Sequence, residues 1–407
     1  MDVREQRGLE IAATKKLRQK GDLWIVPSQS GAGTYVVDPT EQRGTTCTCP
    51  DYEARSQRCK HVYAVEFTIL RERTNADGSK VTEQLRLTYR QEWSAYNAAQ
   101  TTEKERVATL LHDLCAAIDN PIYKRGRPRL PLADSVFCAA MKVYGGSSAR
   151  RTMTDMRDYA AKGYIDRAPH FNSISNALEN PDLTPLLYAM IEESATPLRA
   201  LETDFAVDSS GFSTGEYQRW FSVKYGKEMS RSKWLKAHVC IGTHTNVVTA
   251  ARITDNYGPD THDAGHLSPL LDRTLARGFT VEMMSADKAY SSRKNLTAID
   301  AARAFPLIPF KSNSTGFHAS GEGAALWRKM YGFFMYRREE FLTHYHKRSN
   351  VETTFSMIKA KFGTRIRSKT PVAQVNELLC KILCHNLCCL VQSFYELGVE
   401  AEFWKAS

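Results

Sequence analysis

Two sets of residues in this sequence have the types and spacing to do chemistry: three acids, Asp208, Asp287 and Glu352, and a cysteine–histidine set, Cys47, Cys49, Cys59 and His61. Carboxylates brought together are hard oxygen ligands suited to Mg²⁺, which one or two carboxylates usually hold alongside substrate phosphates and water. Two such ions about 4 Å apart can activate an attacking water or 3′-OH and stabilise the leaving oxygen of an in-line displacement at phosphorus. Asp208 closes an apolar run in Ala206-Val207-Asp208-Ser209-Ser210-Gly211, and Asp287 closes another in Met283-Met284-Ser285-Ala286-Asp287. Taken singly, an acid after a strand is as well explained as a helix cap or turn former.

Glu352 changes that weighting. At about 100° per residue, Tyr345, Arg348, Glu352 and Lys359 fall within a narrow arc of a helix. One face would then present an acid with two cations and a phenol, so that Glu352 can ligand a metal while Arg348 and Lys359 engage phosphates. The alternative is a solvated amphipathic helix with an i,i+4 Arg–Glu pair contributing tenths of a kcal/mol.

The second set reads C-x-C-x(9)-C-x-H from Cys47 to His61. Four such ligands suffice for a closed tetrahedral Zn²⁺ site, structural rather than catalytic because no position is left open. Cys380, Cys384, Cys388 and Cys389, with His385, lie at helical spacing among leucines and read as core. Ten cysteines in a chain of this size are too few for a disulfide scaffold.

Residues 345–359 match the Y-x(2)-R-x(3)-E-x(6)-K signature, and with the two aspartate segments the region 200–395 resembles the DDE transposases of bacterial cut-and-paste insertion sequences. The resemblance implies a ribonuclease-H-like core in which Asp208, Asp287 and Glu352 bind two Mg²⁺ ions, Mn²⁺ substituting, while Tyr345, Arg348 and Lys359 hold the DNA end. It also implies a homodimer or higher oligomer that brings two ends together, and a cytoplasmic, nucleoid-associated location. Residues 288–351, 64 in all, leave little room for the large β-rich insertion that some relatives carry before the glutamate. The cysteine–histidine spacing resembles a SWIM-type zinc finger, whose first ligand pair follows strands and whose second opens a helix.

The elements that must position these residues follow from periodicity. A basic helix opens the chain, Asp22 to Pro39 alternates as a β-hairpin, His61 to Leu70 has helical spacing, and a short strand is expected at 81–90. Residues 91–200 are helical, as at Val107, Leu110, Leu111 and Leu114. Beyond Asp204, strands at 204–208, 219–225, 236–243, 246–253, 280–286 and 304–309 alternate with helices near 264–277 and 291–303, a mixed α/β pattern. Residues 344–395 are mostly helical. The expected organisation is a zinc-finger module (1–90), a helical DNA-binding region with a basic linker (91–200), a ribonuclease-H-like mixed sheet with flanking helices (201–395) and a tail (396–407).

At 407 residues, 42% hydrophobic and 25% charged, the chain has the composition of a globular protein of two or three domains. A formal charge of +10 suits a polyanion such as DNA. The N-terminus lacks a secretory signal, and the apolar stretch Leu378 to Phe394 is broken by Lys381, His385, Asn386 and Gln392, so it reads as a buried helix and not a membrane span. Arg125 and Arg127, in Lys124-Arg125-Gly126-Arg127-Pro128, resemble an AT-hook for a narrow minor groove; a basic linker without groove contact explains the run equally well. Pro169 to Leu178 reads as a helix start inside a helix-turn-helix-like unit at 133–185. His262, Asp263 and His266 are explained as well by a helix N-terminus as by a metal, and stand outside the catalytic set. Three functions remain: a transposase that joins ends to target DNA, a domesticated, catalytically inactive DNA-binding regulator, and a metal-dependent nuclease of the same fold.

Overall fold

A computed structural model describes residues 3–15, 17–21, 23–28, 33–39, 45–55, 57–77, 93–119, 130–214, 234–255, 262–316 and 320–404. The expected strands at 81–90 and 219–225 and the run with Arg125 and Arg127 lie outside them. The chain divides into two compact units, Met1–Glu92 and Trp93–Ser407.

In the first unit, strands β1 (Arg18–Lys20), β2 (Leu23–Pro27), β3 (Thr34–Asp38) and β4 (Thr46–Cys47) form an antiparallel sheet in sequence order. The expected hairpin is β2–β3, with Ile25 opposite Val36. Helix α1 (Val3–Thr14) packs on the expected helix after the cysteines, α3 (Lys60–Asp77), and a short α2 (Pro50–Arg55) lies between the ligand pairs. Gly8 permits the close approach of the two long helices, since a Cβ there would come 2.5 Å from the Cβ of Tyr63. The core is small: Ile11, Trp24, Val26, Val37, Val62, Ala64 and Val65, with three buried cysteines completing it.

The second unit is built on a five-stranded mixed sheet in the order β7-β6-β5-β8-β9, comprising β5 (Asp204–Ser213), β6 (Trp234–Gly242), β7 (Val248–Asp255), β8 (Met283–Ala286) and β9 (Phe305–Leu307). β6 runs antiparallel to β5 and β7, whereas β8 and β9 run parallel to β5. Helices α4 (Trp93–Cys115), α5 (Leu132–Tyr144), α6 (Met153–Ala161), α7 (Phe171–Glu179) and α8 (Leu183–Ala195) precede the sheet. Within and after it come α9 (Leu267–Ala276), α10 (Arg293–Ala301), α11 (Ala324–Tyr336), α12 (Arg338–Tyr345), α13 (Ser349–Phe362) and α14 (Pro371–Leu397). This is the ribonuclease-H-like mixed sheet with flanking helices. The early helices and the sheet share one hydrophobic core.

α14 is the apolar stretch expected to be buried. It is the one described helix long and apolar enough to cross a membrane, and 78% of its most apolar window is covered by the rest of the protein. It packs against α4, α5 and α8, and Cys380, Cys384, His385 and Cys389 are core residues, as expected. Its Asn386 side chain imitates a neighbouring strand for the sheet edge: Val248 N–H donates to Oδ1 (2.8 Å) and Nδ2 donates to Val248 O (2.7 Å). A buried amide that satisfies both backbone groups of an edge residue fixes the helix against β7 and closes that edge locally.

Two boundaries differ from expectation, and both matter to the site. β5 does not end at Asp208 but continues to Ser213, because β6 keeps pairing with it through Ser213 opposite Trp234. The face formed by Tyr345, Arg348, Glu352 and Lys359 does not lie on one helix: α12 ends at Tyr345, a 3₁₀ turn spans His346–Arg348, and α13 starts at Ser349. Between β9 and Glu352 the described residues form helices and no strand.

Candidate active site and zinc centre

Asp208 stands where the burial of β5 relaxes. Phe205, Ala206 and Val207 are buried on both faces, as a central strand requires, whereas Asp208 to Gly211 are half-buried. On the β8 side, pairing ends with Val207 opposite Ala286. The next residue on each strand is Asp208 and Asp287, so the parallel register brings the two acids to adjacent positions, roughly 4.8 Å apart by strand spacing. They lie at the carboxyl ends of parallel pairing, beside the point where the sheet changes from antiparallel to parallel, a place where α/β sheets open a crevice. Asp287 accepts from the Lys288 N–H at 2.6 Å and begins a 3₁₀ turn, so it is also the cap that the lone-acid reading foresaw.

Glu352 reaches the site from α13, whose Val351, Phe355 and Ile358 face the core. Asn350 Nδ2 donates to Thr243 O at 2.6 Å and Thr354 Oγ1 to Asn246 Oδ1 at 3.3 Å, tying this helix to the β6–β7 turn. Arg348 joins the acids: Nη1 donates to Asp208 Oδ2 at 3.3 Å and Nη2 to Glu352 Oε1 at 3.0 Å. Its guanidinium lies 5.7 Å from the centre of the Tyr345 ring. Lys359 Nζ donates to Ser210 Oγ at 2.6 Å and sits 5.2 Å from the Phe212 ring. The broken helix therefore still gathers all four signature residues along β5.

Burial pushes the Asp208 carboxyl above the usual range; the Ser209 N–H and Arg348 oppose this, and the charges of Asp287 and Glu352 add to it. The Tyr345 phenol is pushed up to about 12, chiefly by burial, with Arg348 opposing and the acids adding. Burial alone lowers Lys359. Three carboxylates gathered in one neighbourhood, with a single arginine between Asp208 and Glu352, form a site deficient in positive charge, which fits divalent cations.

Asp263, left outside the catalytic set on sequence, is part of the same neighbourhood. It does not cap its own 3₁₀ turn (Asp263–His266) but accepts from Ser209 Oγ at 2.9 Å and pairs with Lys236 Nζ at 2.5 Å. Fully buried His238 lies 3.4 Å away, and burial, assisted by His266, lowers it to about 3, so it is neutral at pH 7. No local signal marked Lys236 or His238, because alternate residues of a strand are assigned to a site only by register. Asp263 and Asp287 both border an open cavity of about 790 Å³ with Lys288 and Lys311 on its wall.

In the first unit, Cys47 comes from β4, Cys49 from the turn before α2, Cys59 from just before α3 and His61 from its first turn. All four are buried and their donor atoms lie within 4.8 Å of one another, the one such group among the described residues. His61 Nδ1 is 3.9 Å from both the Cys47 and Cys59 sulfurs. Tetrahedral Zn²⁺ with bonds of about 2.0–2.3 Å requires nearly that separation, so the set fits zinc with Nδ1 as the ligand atom. Hydrogen bonding from Cys47 lowers the Cys59 thiol to about 4, with His61 and the Val62 N–H assisting against burial, while Cys47 is raised in return. A cation shared by all the sulfurs removes that competition for one proton.

Residues 35–70, which hold all four of these ligands, match the family model of the SWIM zinc finger. Residues 199–387, which hold Asp208, Asp287, Glu352 and the Tyr345, Arg348 and Lys359 positions, match the family model of the transposase DDE domain. No curated protein matches the chain. The chain therefore carries a transposase DDE domain preceded by a SWIM zinc finger.

Proposed function

We propose that the protein cleaves transposon ends and joins the freed 3′-OH to target DNA, in a cut-and-paste reaction run by Asp208, Asp287 and Glu352. The observation that carries this reading is the register that brings Asp208 and Asp287 side by side on parallel strands, with Glu352 linked to Asp208 through Arg348. Two Mg²⁺ ions, or Mn²⁺ in their place, would supply Lewis-acid activation of the attacking oxygen and charge neutralisation at the scissile phosphate when bound by these carboxylates. Asp208, fixed by the Ser209 N–H and Arg348, provides the buried anchor of the set. Glu352, 64% exposed, provides the open side through which a phosphate reaches the acids. Arg348 offers its fork to a phosphate oxygen once the carboxylates are neutralised, and Lys359 and Tyr345 hold the strand on either side. Zn²⁺ in the N-terminal finger is structural, and DNA is the partner of the catalytic unit. Two ends require two active sites, so a homodimer or larger synaptic assembly is part of the proposal, as is a role for the 91–200 helices and for Arg125 and Arg127 in DNA contact.

Strand joining tests this directly. With Mg²⁺, duplexes carrying the repeats that bracket the gene and ending in a 3′-OH should become covalently attached to a supercoiled plasmid. Nicking without joining would instead identify a nuclease of the same fold, and end binding without either reaction a domesticated regulator.

A further inference from the structure

β5 loses its parallel neighbour just before the acids: pairing with β8 stops at Val207. Beyond that point the Ser209 N–H donates to Asp208 Oδ1 at 2.8 Å. Alternation along the strand divides the side chains between its two faces. Asp208 and Ser210 meet Arg348 and Lys359 on the α13 face, whereas Ser209, on the opposite face, donates from Oγ to Asp263 Oδ1 at 2.9 Å. The residue whose amide holds the acid on one face is thus anchored through its hydroxyl on the other.

Asp263 is itself fixed. Lys236 Nζ pairs with the same Oδ1 at 2.5 Å, and His238 Nδ1 lies 3.4 Å from it. Both reach it because the register sets His238 opposite Ser209 and Lys236 opposite Gly211, on one face of β6. Further in, His238 Nε2 lies 2.9 Å from Thr254 Oγ1, and the His266 ring is centred 3.8 Å from that of His238. Where only packing is at stake the same strand carries Phe205, Ala206 and Val207, all buried. Setting a carboxylate, an ammonium and two imidazoles beside its next turn costs desolvation that an apolar face would avoid. Asp263 offsets none of that by capping its own 3₁₀ turn.

We propose that Asp263 is a positioning residue for the metal site: by holding the Ser209 hydroxyl it fixes the amide that orients Asp208. Lys236 holds Asp263 in turn. The proposal rests on the reading of the acids as cation ligands given above. Outer partners of a ligand typically carry roughly 10–100-fold in metal affinity, and a group acting through a second residue belongs at the low end of that range.

Mn²⁺ titration of the zinc-loaded full chain, followed by electron paramagnetic resonance, tests this with Ser209→Ala, Asp263→Ala and the double variant. Each single substitution should weaken Mn²⁺ binding by about 10-fold. The double variant should bind as the singles do, because both remove the same link. Ser209→Thr and Asp263→Asn, which keep the hydroxyl and an acceptor for it, should restore wild-type affinity. A merely structural network would instead lower the thermal midpoint and leave the Mn²⁺ affinity of the folded chain unchanged. Unchanged affinity in the single variants, or losses that add in the double, overturns the positioning role. Should Asp263→Ala fail to fold, equal Mn²⁺ affinity of Ser209→Ala and Ser209→Thr overturns it alone. A wild type that binds no more Mn²⁺ than Asp208→Asn contradicts the reading of the acids, and the role with it. Weakened alanine variants beside a wild type that binds Mn²⁺ but never cleaves DNA would count against the transposase reading and leave the positioning role standing.

Discussion

The zinc centre and the acidic site are both built from residues distant in sequence, but they are assembled differently. Cys47, Cys49, Cys59 and His61 are fully buried, with every donor atom within 4.8 Å of the others. The acids are graded: the Asp208 side chain is 20% exposed, Asp287 is half-buried at a strand end and the Glu352 side chain is 64% exposed, with Arg348 between two of them. A closed ligand set holds a metal that holds a fold; an open one leaves coordination positions for substrate. The first unit has few core side chains beyond its ligands, whereas the second has a core that exists without its acids.

The largest expected effect follows from that asymmetry. Stripping zinc from the full chain, or replacing Cys59 with Ser, should unfold the first unit, since structural zinc contributes on the order of 10 kcal/mol in such modules. Limited proteolysis should then degrade residues 1–92 and leave a resistant fragment starting near Trp93; a resistant N-terminal unit without metal would erase the contrast. Asp208→Asn should behave oppositely. It removes a buried carboxylate already disfavoured by burial and by two neighbouring acids, so the thermal midpoint should hold or rise while cleavage falls by roughly two to three orders of magnitude or more. A large loss of stability would mean that Asp208 is a structural residue.

Arg348→Ala sharpens the difference further. The guanidinium competes with cations for Asp208 and Glu352, so its removal should leave Mn²⁺ binding, followed by electron paramagnetic resonance, equal or tighter, while end cleavage drops by about 100-fold. Loss of Mn²⁺ binding would show that Arg348 organises the ligands. The smallest effect concerns Lys381, lowered to about 8 by burial, with Arg367 and Lys142 adding to that and Glu377 opposing it. The folded chain releases this proton before the unfolded chain does, so the unfolded state binds more protons between about pH 8 and the ordinary lysine value, and stability contributed here rises with pH. Chemical denaturation across that window should show wild type gaining on Lys381→Met by at most about 3 kcal/mol; a constant difference would mean the ammonium is not held in the buried state.

Spacing made much of this legible. The cysteine–histidine set, the period-two runs of β2–β3 and of the central sheet, and the apolar face of α14 were readable because each is local. What was not readable depends on register and tertiary pairing. The continuation of β5 past Asp208 is set by β6, a strand whose Lys236 and His238 show no motif. The 3₁₀ turn at His346–Arg348 interrupts a pattern that a regular helix would satisfy equally well, and Arg348 on that turn still reaches Asp208, Glu352 and the Tyr345 ring. Asp263 could not be assigned because its partner Ser209 is 54 residues away in sequence.

The central claim, that Asp208, Asp287 and Glu352 form one metal-dependent phosphoryl-transfer site, is tested most directly at its exposed member. Glu352→Gln keeps size and hydrogen bonding but removes the charge, at a position where the fold demands little. Incubated with Mg²⁺ and DNA carrying the bracketing repeats, wild type should release the ends, and the Glu352→Gln chain should bind them and release none. Cleavage by that variant at the wild-type rate would contradict the account.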